Sequence, residues 1–135
     1  MPAGRISFEI TETEQIGDRA AAVQQVRAMR ALGCSVSLDD FGTGLATFDY
    51  LRSFDVDFVK IDGVFVRDLL ANQHDQSMVR AICEVARSMG LRTIAEFVEG
   101  EDLIEALRAL GVDYGQGFGI AHPAPIHELF AQPAA

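Results

Sequence analysis

The chain has 135 residues, which suits one domain or part of a larger one, and 49% of them are hydrophobic, which excludes a disordered tail. Its formal charge of −9, from 20 acidic and 11 basic residues, disfavours binding duplex nucleic acid through a basic patch. A small phosphorylated ligand stays open, because a bound cation can supply positive charge locally.

No apolar run approaches the roughly 20 residues that span a bilayer. Met1-Pro2-Ala3-Gly4-Arg5 lacks the apolar core of a signal peptide. Cys34 and Cys83 have no ligand-like spacing and read as small buried hydrophobes of a reducing compartment, so a cytoplasmic location is expected.

Arg5-Ile6-Ser7-Phe8-Glu9-Ile10 alternates as a strand does. From Glu14 to Leu32 a helix is predicted, with Ile16, Ala20, Val23, Val26 and Met29 on its apolar stripe and Gly33 just past its end. Cys34 to Leu38 is a second strand, ending in the pair Asp39-Asp40, which Gly42 and Gly44 then allow to turn. Leu45, Phe48 and Leu51 suggest a short helix, Asp57 to Asp62 a third strand, and Val64 to Leu70 a helical turn. A long helix runs from Asp75 to Met89, its face marked by Met78, Ile82, Val85 and Met89. Leu91 to Glu96 is a fourth strand, Asp102 to Leu110 a helix, and Val112-Asp113-Tyr114 a fifth, shorter strand. After Pro123 and Pro125, Ile126 to Phe130 forms a last helical turn. Three junctions rhyme: Ala31-Leu32-Gly33, Ser88-Met89-Gly90 and Ala109-Leu110-Gly111 each end a helix and open a strand. Alternating strands and helices call for a parallel sheet with crossover helices in one α/β domain.

In parallel α/β folds, ligands bind beyond the carboxyl ends of the strands. The polar residues that interrupt apolar runs fall at those ends: Glu9 and Glu12, Asp39 and Asp40, Lys60 and Asp62, Glu96 and Glu99, and Gln116. Each has a simpler reading alone. Glu9 and Glu12 suit a solvated loop, the Asp pair an ordinary turn, and Glu99 to Asp102 a charged helix N-terminus. Lys60, between Val59 and Ile61, can snorkel to solvent. Gly115-Gln116-Gly117-Phe118-Gly119 is not a P-loop, since no Gly-Lys-Ser/Thr follows. Together, several carboxylates, one lysine and one amide suit an oxygen-ligated Mg²⁺ or Mn²⁺ site better than zinc. Two such ions clamp the attacking and leaving oxygens of a phosphodiester. Asp39 and Asp40 can serve those ions, Lys60 can stabilise negative charge, and Glu96 can act as general base.

Glu9-Ile10-Thr11-Glu12, Asp39-Asp40-Phe41-Gly42-Thr43-Gly44, Val59-Lys60-Ile61-Asp62, Ile94-Ala95-Glu96-Phe97-Val98-Glu99 and Gly115-Gln116-Gly117 resemble, in order and spacing, the EAL-domain family of cyclic di-GMP phosphodiesterases, which produce linear pGpG. The resemblance implies a TIM-like (β/α)8 barrel with one antiparallel strand, of which residues 1–135 supply roughly strands 4 to 8. It implies that Glu9, Asp39 and Asp40 are metal ligands and that Lys60 lies near a metal-bound water. Glu96 becomes the general base or water-positioning carboxylate, and Gln116 a substrate-binding residue at the rim. Glu12 and Glu99 become acids that support the loop after the Asp pair, and that loop, from Asp39 to Thr47, contributes to dimerisation. The Glu-Ala-Leu signature and its neighbouring Asn ligand are absent from these residues, Phe97 stands where the family usually has Gly, and His122 where a basic residue is usual.

A complete barrel needs roughly 250 residues. The expectation is therefore the C-terminal part of such a domain, weak or inactive alone, that self-associates through its loop or open barrel edges or meets a partner bearing the other half. The alternatives are a non-catalytic module that binds cyclic di-GMP or a protein, and hydrolysis of another phosphodiester.

Overall fold

The computed structural model describes Gly4 and residues 6–11, 19–42 and 51–122. Five strands form one sheet in sequence order: β1 (Ser7–Thr11), β2 (Ser35–Phe41), β3 (Phe58–Ile61), β4 (Arg92–Ala95) and β5 (Tyr114–Gly115). All four pairings are parallel. The antiparallel strand implied for a whole barrel is thus not among them. The helices are α1 (Arg19–Ala31), the single turn α2 (Gly63–Val66), α3 (Gln73–Ser88) and α4 (Glu101–Leu110), with a 3-10 turn at Leu69–Ala71. The predicted turn from Val64 to Leu70 is therefore two turns. The predicted helix around Leu45 and Phe48 and the last turn at 126–130 lie outside the described residues, as do the first residues of the helix expected from Glu14; residues 51–53 are helical.

Register separates two faces, because residues side by side in a parallel sheet point the same way. Val36 pairs with Phe8, Leu38 with Ile10 and Val59, and Ile61 with Ala95. Val36, Leu38, Val59, Ile61 and Ala95 are fully buried and form one apolar core with the helices. Val26 joins it from α1, Leu103 and Leu107 from α4. On α3 the buried stripe is Val79, Ile82, Cys83 and Ala86, at the spacing of one helical face. The predicted stripe was rotated from this one: Met78 and Met89 are each 41% exposed. Both stripes satisfy the helical period, and the smaller Cys83 and Ala86 permit the closer approach to the sheet.

The sheet's other face is mixed and carries the charged residues. Glu9 lies beside Ser37, Ser37 beside Phe58, and Lys60 beside Ile94. The amino ends of the strands are tied by a device used twice. Asp57, just before β3, accepts Val36 N–H (2.9 Å) and Arg30 Nη2 (3.0 Å). Asp113, just before β5, accepts Thr93 N–H (2.9 Å). Each carboxylate satisfies a backbone donor at the start of the neighbouring strand.

The rhyming helix ends have a shared cause. Gly33, Gly90 and Gly111 all adopt positive φ, 94°, 73° and 99°, the left-handed turn that releases the chain into the next strand. At the other end of α3, the Asn72 side chain accepts N–H bonds from His74 (2.9 Å) and Asp75 (3.2 Å), so the helix starts two residues earlier than predicted. Strand β2 also runs further than expected, through Asp39 and Asp40 to Phe41. Its register shifts between Leu38 and Phe41. That irregularity lets the Asp pair stay in the strand while re-aiming it at the carboxyl end of the sheet.

Candidate active site

Three strands and the residue after a fourth deliver charged side chains to one place. Lys60 projects from β3 with a side chain only 4% exposed, and its Nζ lies 2.5 Å from Glu9 Oε1, 3.3 Å from Glu96 Oε1 and 3.9 Å from Asp39 Oδ1. Glu9 comes from β1, Asp39 from β2, and Glu96 follows β4 directly. The lysine stem is flanked by the buried Val59 and Ile61, so its ammonium can leave water only because three carboxylates replace it. Snorkelling is thereby ruled out. Burial opposes the charge on Lys60, but the Glu9 hydrogen bond and the three carboxylates outweigh it, and its pKa rises above the ordinary lysine value.

Glu96 is pushed the other way. Burial, then a hydrogen bond to Asp39 and the Asp39 charge, raise its pKa to about 8, with Lys60 partly offsetting the rise. Burial and a neighbouring carboxylate together disfavour the charged form of Glu96. Among the described residues, no three His, Cys, Asp or Glu side chains are grouped so as to hold a metal ion ready-made. The donor chemistry nonetheless fits one: carboxylates of Glu9, Asp39 and Glu96 converge within 4 Å of one ammonium, and oxygen donors suit a hard divalent cation.

A cavity of about 470 Å³ opens beside this cluster, lined by Asp39, Glu96, Phe97, Glu99, Gln116 and Phe118 among others. Gln116 reaches it because the chain after β5 is stitched to the chain after β4. Gln116 N–H donates to Ala95 O (2.8 Å), Val98 N–H to Gln116 O (3.0 Å) and Gly119 N–H to Val98 O (2.9 Å). Gly117 makes this approach possible: a Cβ there would stand 2.3 Å from Val98 N and 2.4 Å from Val98 O. The glycine run that is no P-loop is a close-approach device for two backbones.

Sequence reasoning placed Glu9, Asp39, Lys60, Glu96, Glu99 and Gln116 at strand ends, and the structure brings them to one end of the sheet, Glu99 exposed at the cavity rim. Asp40 is in β2, with its side chain outside the described residues, as is all of Glu12. Two features were missed. Lys60 is the hub of the acids, a role signalled by its apolar neighbours. Phe97 and Phe118 line the cavity; Phe97 is marked only by standing where the resembled family usually has Gly, and nothing in the sequence pattern separates Phe118 from core aromatics.

Five parallel strands with crossover helices, and ionisable groups gathered beyond their carboxyl ends, are those of a partial TIM-like barrel. A family profile described as EAL domain matches residues 1–123, and the chain belongs to that family. The cyclic di-GMP phosphodiesterase PdeB of Shewanella oneidensis is 45% identical over 126 residues, which are 93% of this chain and 15% of that protein. The solved structure of the PaMucR phosphodiesterase in complex with c-di-GMP matches with a TM-score of 0.83 at 32% identity, covering 96% of this chain and 52% of that one. The manganese/cy-diGMP complex of Klebsiella pneumoniae BlrP1 matches at a TM-score of 0.78 and 29% identity, over 87% of this chain and 30% of that one. The chain thus spans about half of the first of these structures and a smaller part of the curated relative. Among the described residues no helix is long and apolar enough to cross a membrane.

Proposed function

We propose that residues 1–135 are the C-terminal part of an EAL phosphodiesterase domain that hydrolyses cyclic di-GMP to pGpG. The observation that carries this reading is the convergence of Glu9, Asp39 and Glu96 on the buried Lys60, beside a cavity that Gln116 also lines. Glu9, Asp39 and Asp40 are the residues that hold Mg²⁺ or Mn²⁺, which when bound supplies the positive charge that activates a water and neutralises the phosphate. Glu96, facing the cavity from beside Asp39, takes the proton of the attacking water once it is itself ionised. Lys60 keeps Glu9, Asp39 and Glu96 in register and places a fixed positive charge below the phosphate. Gln116 orients the substrate at the rim, while Glu12 and Glu99 support the loop after the Asp pair.

By themselves these residues turn cyclic di-GMP over slowly or not at all, since the Glu-Ala-Leu carboxylate and the strand carrying the family's Asn ligand are not among them. Self-association, through the 39–47 loop or the barrel edges, or a partner with the other half supplies what is lacking. A cytoplasmic setting suits the two free buried thiols, Cys34 and Cys83.

Chromatographic assay of pGpG formation with and without Mn²⁺, for the chain alone and mixed with a segment carrying the Glu-Ala-Leu half, tests the reading. Activity restored by mixing and lost in Glu96→Gln is expected; restoration that survives Glu96→Gln removes Glu96 from the mechanism. A second reading, a module that binds cyclic di-GMP without cleaving it, rests on the aromatic lining that Phe97 and Phe118 give the cavity. Calorimetry showing metal-dependent binding with no turnover in the mixed sample selects it.

A further inference from the structure

Phe97 is, among the described residues, the only one other than glycine at positive φ, 58°. A bulky side chain is strained there, and such strain persists where the surroundings over-determine it, often at ligand clamps. Burial does not offset it, for Phe97 remains 53% exposed. Its ring is held in place from two sides. It lies on Gly63 so closely that a Cβ at that position would come within 1.8 Å of ring atom Cδ2. The Arg67 guanidinium sits 5.7 Å from the ring centroid, within cation–π range. The ring lines the cavity directly after Glu96, and Phe118, 62% exposed, lines the same cavity. A held, half-exposed aromatic ring on the wall of a polar cavity has the chemistry of a stacking platform.

We propose that Phe97 is a specificity-determining residue, its ring forming the wall against which a flat heteroaromatic base of the substrate stacks beside the Asp39–Glu96 pair. The identity of the ligand rests on the phosphodiesterase reading; the wall itself rests on Phe97, Gly63 and Arg67. Because the ring is oriented before ligand arrives, little ordering is left to oppose binding. The preference is for a base-bearing phosphate over the same phosphate without its base.

The test compares calorimetric binding of guanosine 5′-monophosphate, ribose 5-phosphate and cyclic di-GMP to the full chain in MgCl₂, for wild type, Phe97→Tyr, Phe97→Ala and Phe97→Gly. Wild type and Phe97→Tyr are expected to favour the nucleotide over the sugar phosphate by roughly fivefold or more, the scale of one stacked base. In Phe97→Gly that ratio falls towards one. Phe97→Gly also unfolds at a higher midpoint than Phe97→Ala, because only glycine relieves the positive φ. A ratio that survives in folded Phe97→Gly overturns the proposal, and so does folded wild type that binds neither nucleotide. Base-dependent binding of the monophosphate that Phe97→Gly loses, with cyclic di-GMP neither bound nor cleaved, supports the wall and sinks the phosphodiesterase reading alone.

Discussion

Replacing Gly117 by alanine tests the idea that the rim is built by backbone contact. The added Cβ would stand 2.3 Å from Val98 N, 2.4 Å from Val98 O and 2.9 Å from Val98 C. All three are main-chain atoms, so no side chain can swing aside. Restoring ordinary contact needs a displacement of about 1 Å. That displacement breaks the Val98 N–H to Gln116 O and Gly119 N–H to Val98 O bonds, 3.0 and 2.9 Å long. Two net backbone hydrogen bonds at about 1 kcal/mol each, with about 1 kcal/mol for a side chain at φ 157°, give a loss of about 2–4 kcal/mol. For a chain of this size that lowers Tm by roughly 6–15 °C. Gly90→Ala is the matched control, with φ 73° but nothing within 4 Å of the new Cβ, and it is expected to cost only about 1 kcal/mol. Urea unfolding followed by circular dichroism measures both. If Gly117→Ala is no less stable than Gly90→Ala, the main-chain approach described for the rim is wrong.

Further outcomes follow from the same geometry. Lys60→Met strands three carboxylates around a buried position and is expected to cost about 2–4 kcal/mol, with millimolar MgCl₂ restoring part of the melting temperature; equal loss with and without Mg²⁺ denies a cation-seeking cluster. For Glu96 the folded pKa is raised, from 4.5 to about 8, so its protonated form is the one the fold favours. Its contribution, on the order of 4 kcal/mol, is fully present below about pH 4.5 and lost as pH rises through about 8. Urea midpoints in EDTA should therefore fall from pH 5 to 8, and Glu96→Gln should flatten that slope. Asn72→Ala removes two N–H acceptors from the start of α3 and should lower stability by about 1 kcal/mol, read as a shifted urea midpoint with an unchanged slope.

The sequence carries the order of elements because local rules decide it. Helices α1, α3 and α4 each end at a glycine at positive φ, and the strands between read as apolar runs. It carries the site acids for a related reason: a carboxylate that interrupts an apolar strand pattern stands out against it, although Glu9, Asp39 and Asp40 lie within their strands rather than at the ends. The α3 face was less legible, since Met78 and Val79 both continue a helical stripe and only packing against the sheet chooses between them. The continuation of β2 through two aspartates contradicts local propensity, and it takes a neighbouring strand to hold it. The strain at Phe97 is invisible in any periodicity, and its ring packs on Gly63, 34 positions earlier in the chain.

The seam between the chain after β4 and the chain after β5 has an implication for how such a site changes over time. Its bonds run between main-chain atoms of Ala95, Val98, Gln116 and Gly119. The side chains of Phe97, Gln116 and Phe118 carry none of that seam and face the cavity instead. Selection can therefore exchange these three without rebuilding the frame that presents them, provided Gly117 stays. Ligand choice is variable on a constant support, and new specificities are within reach of single substitutions.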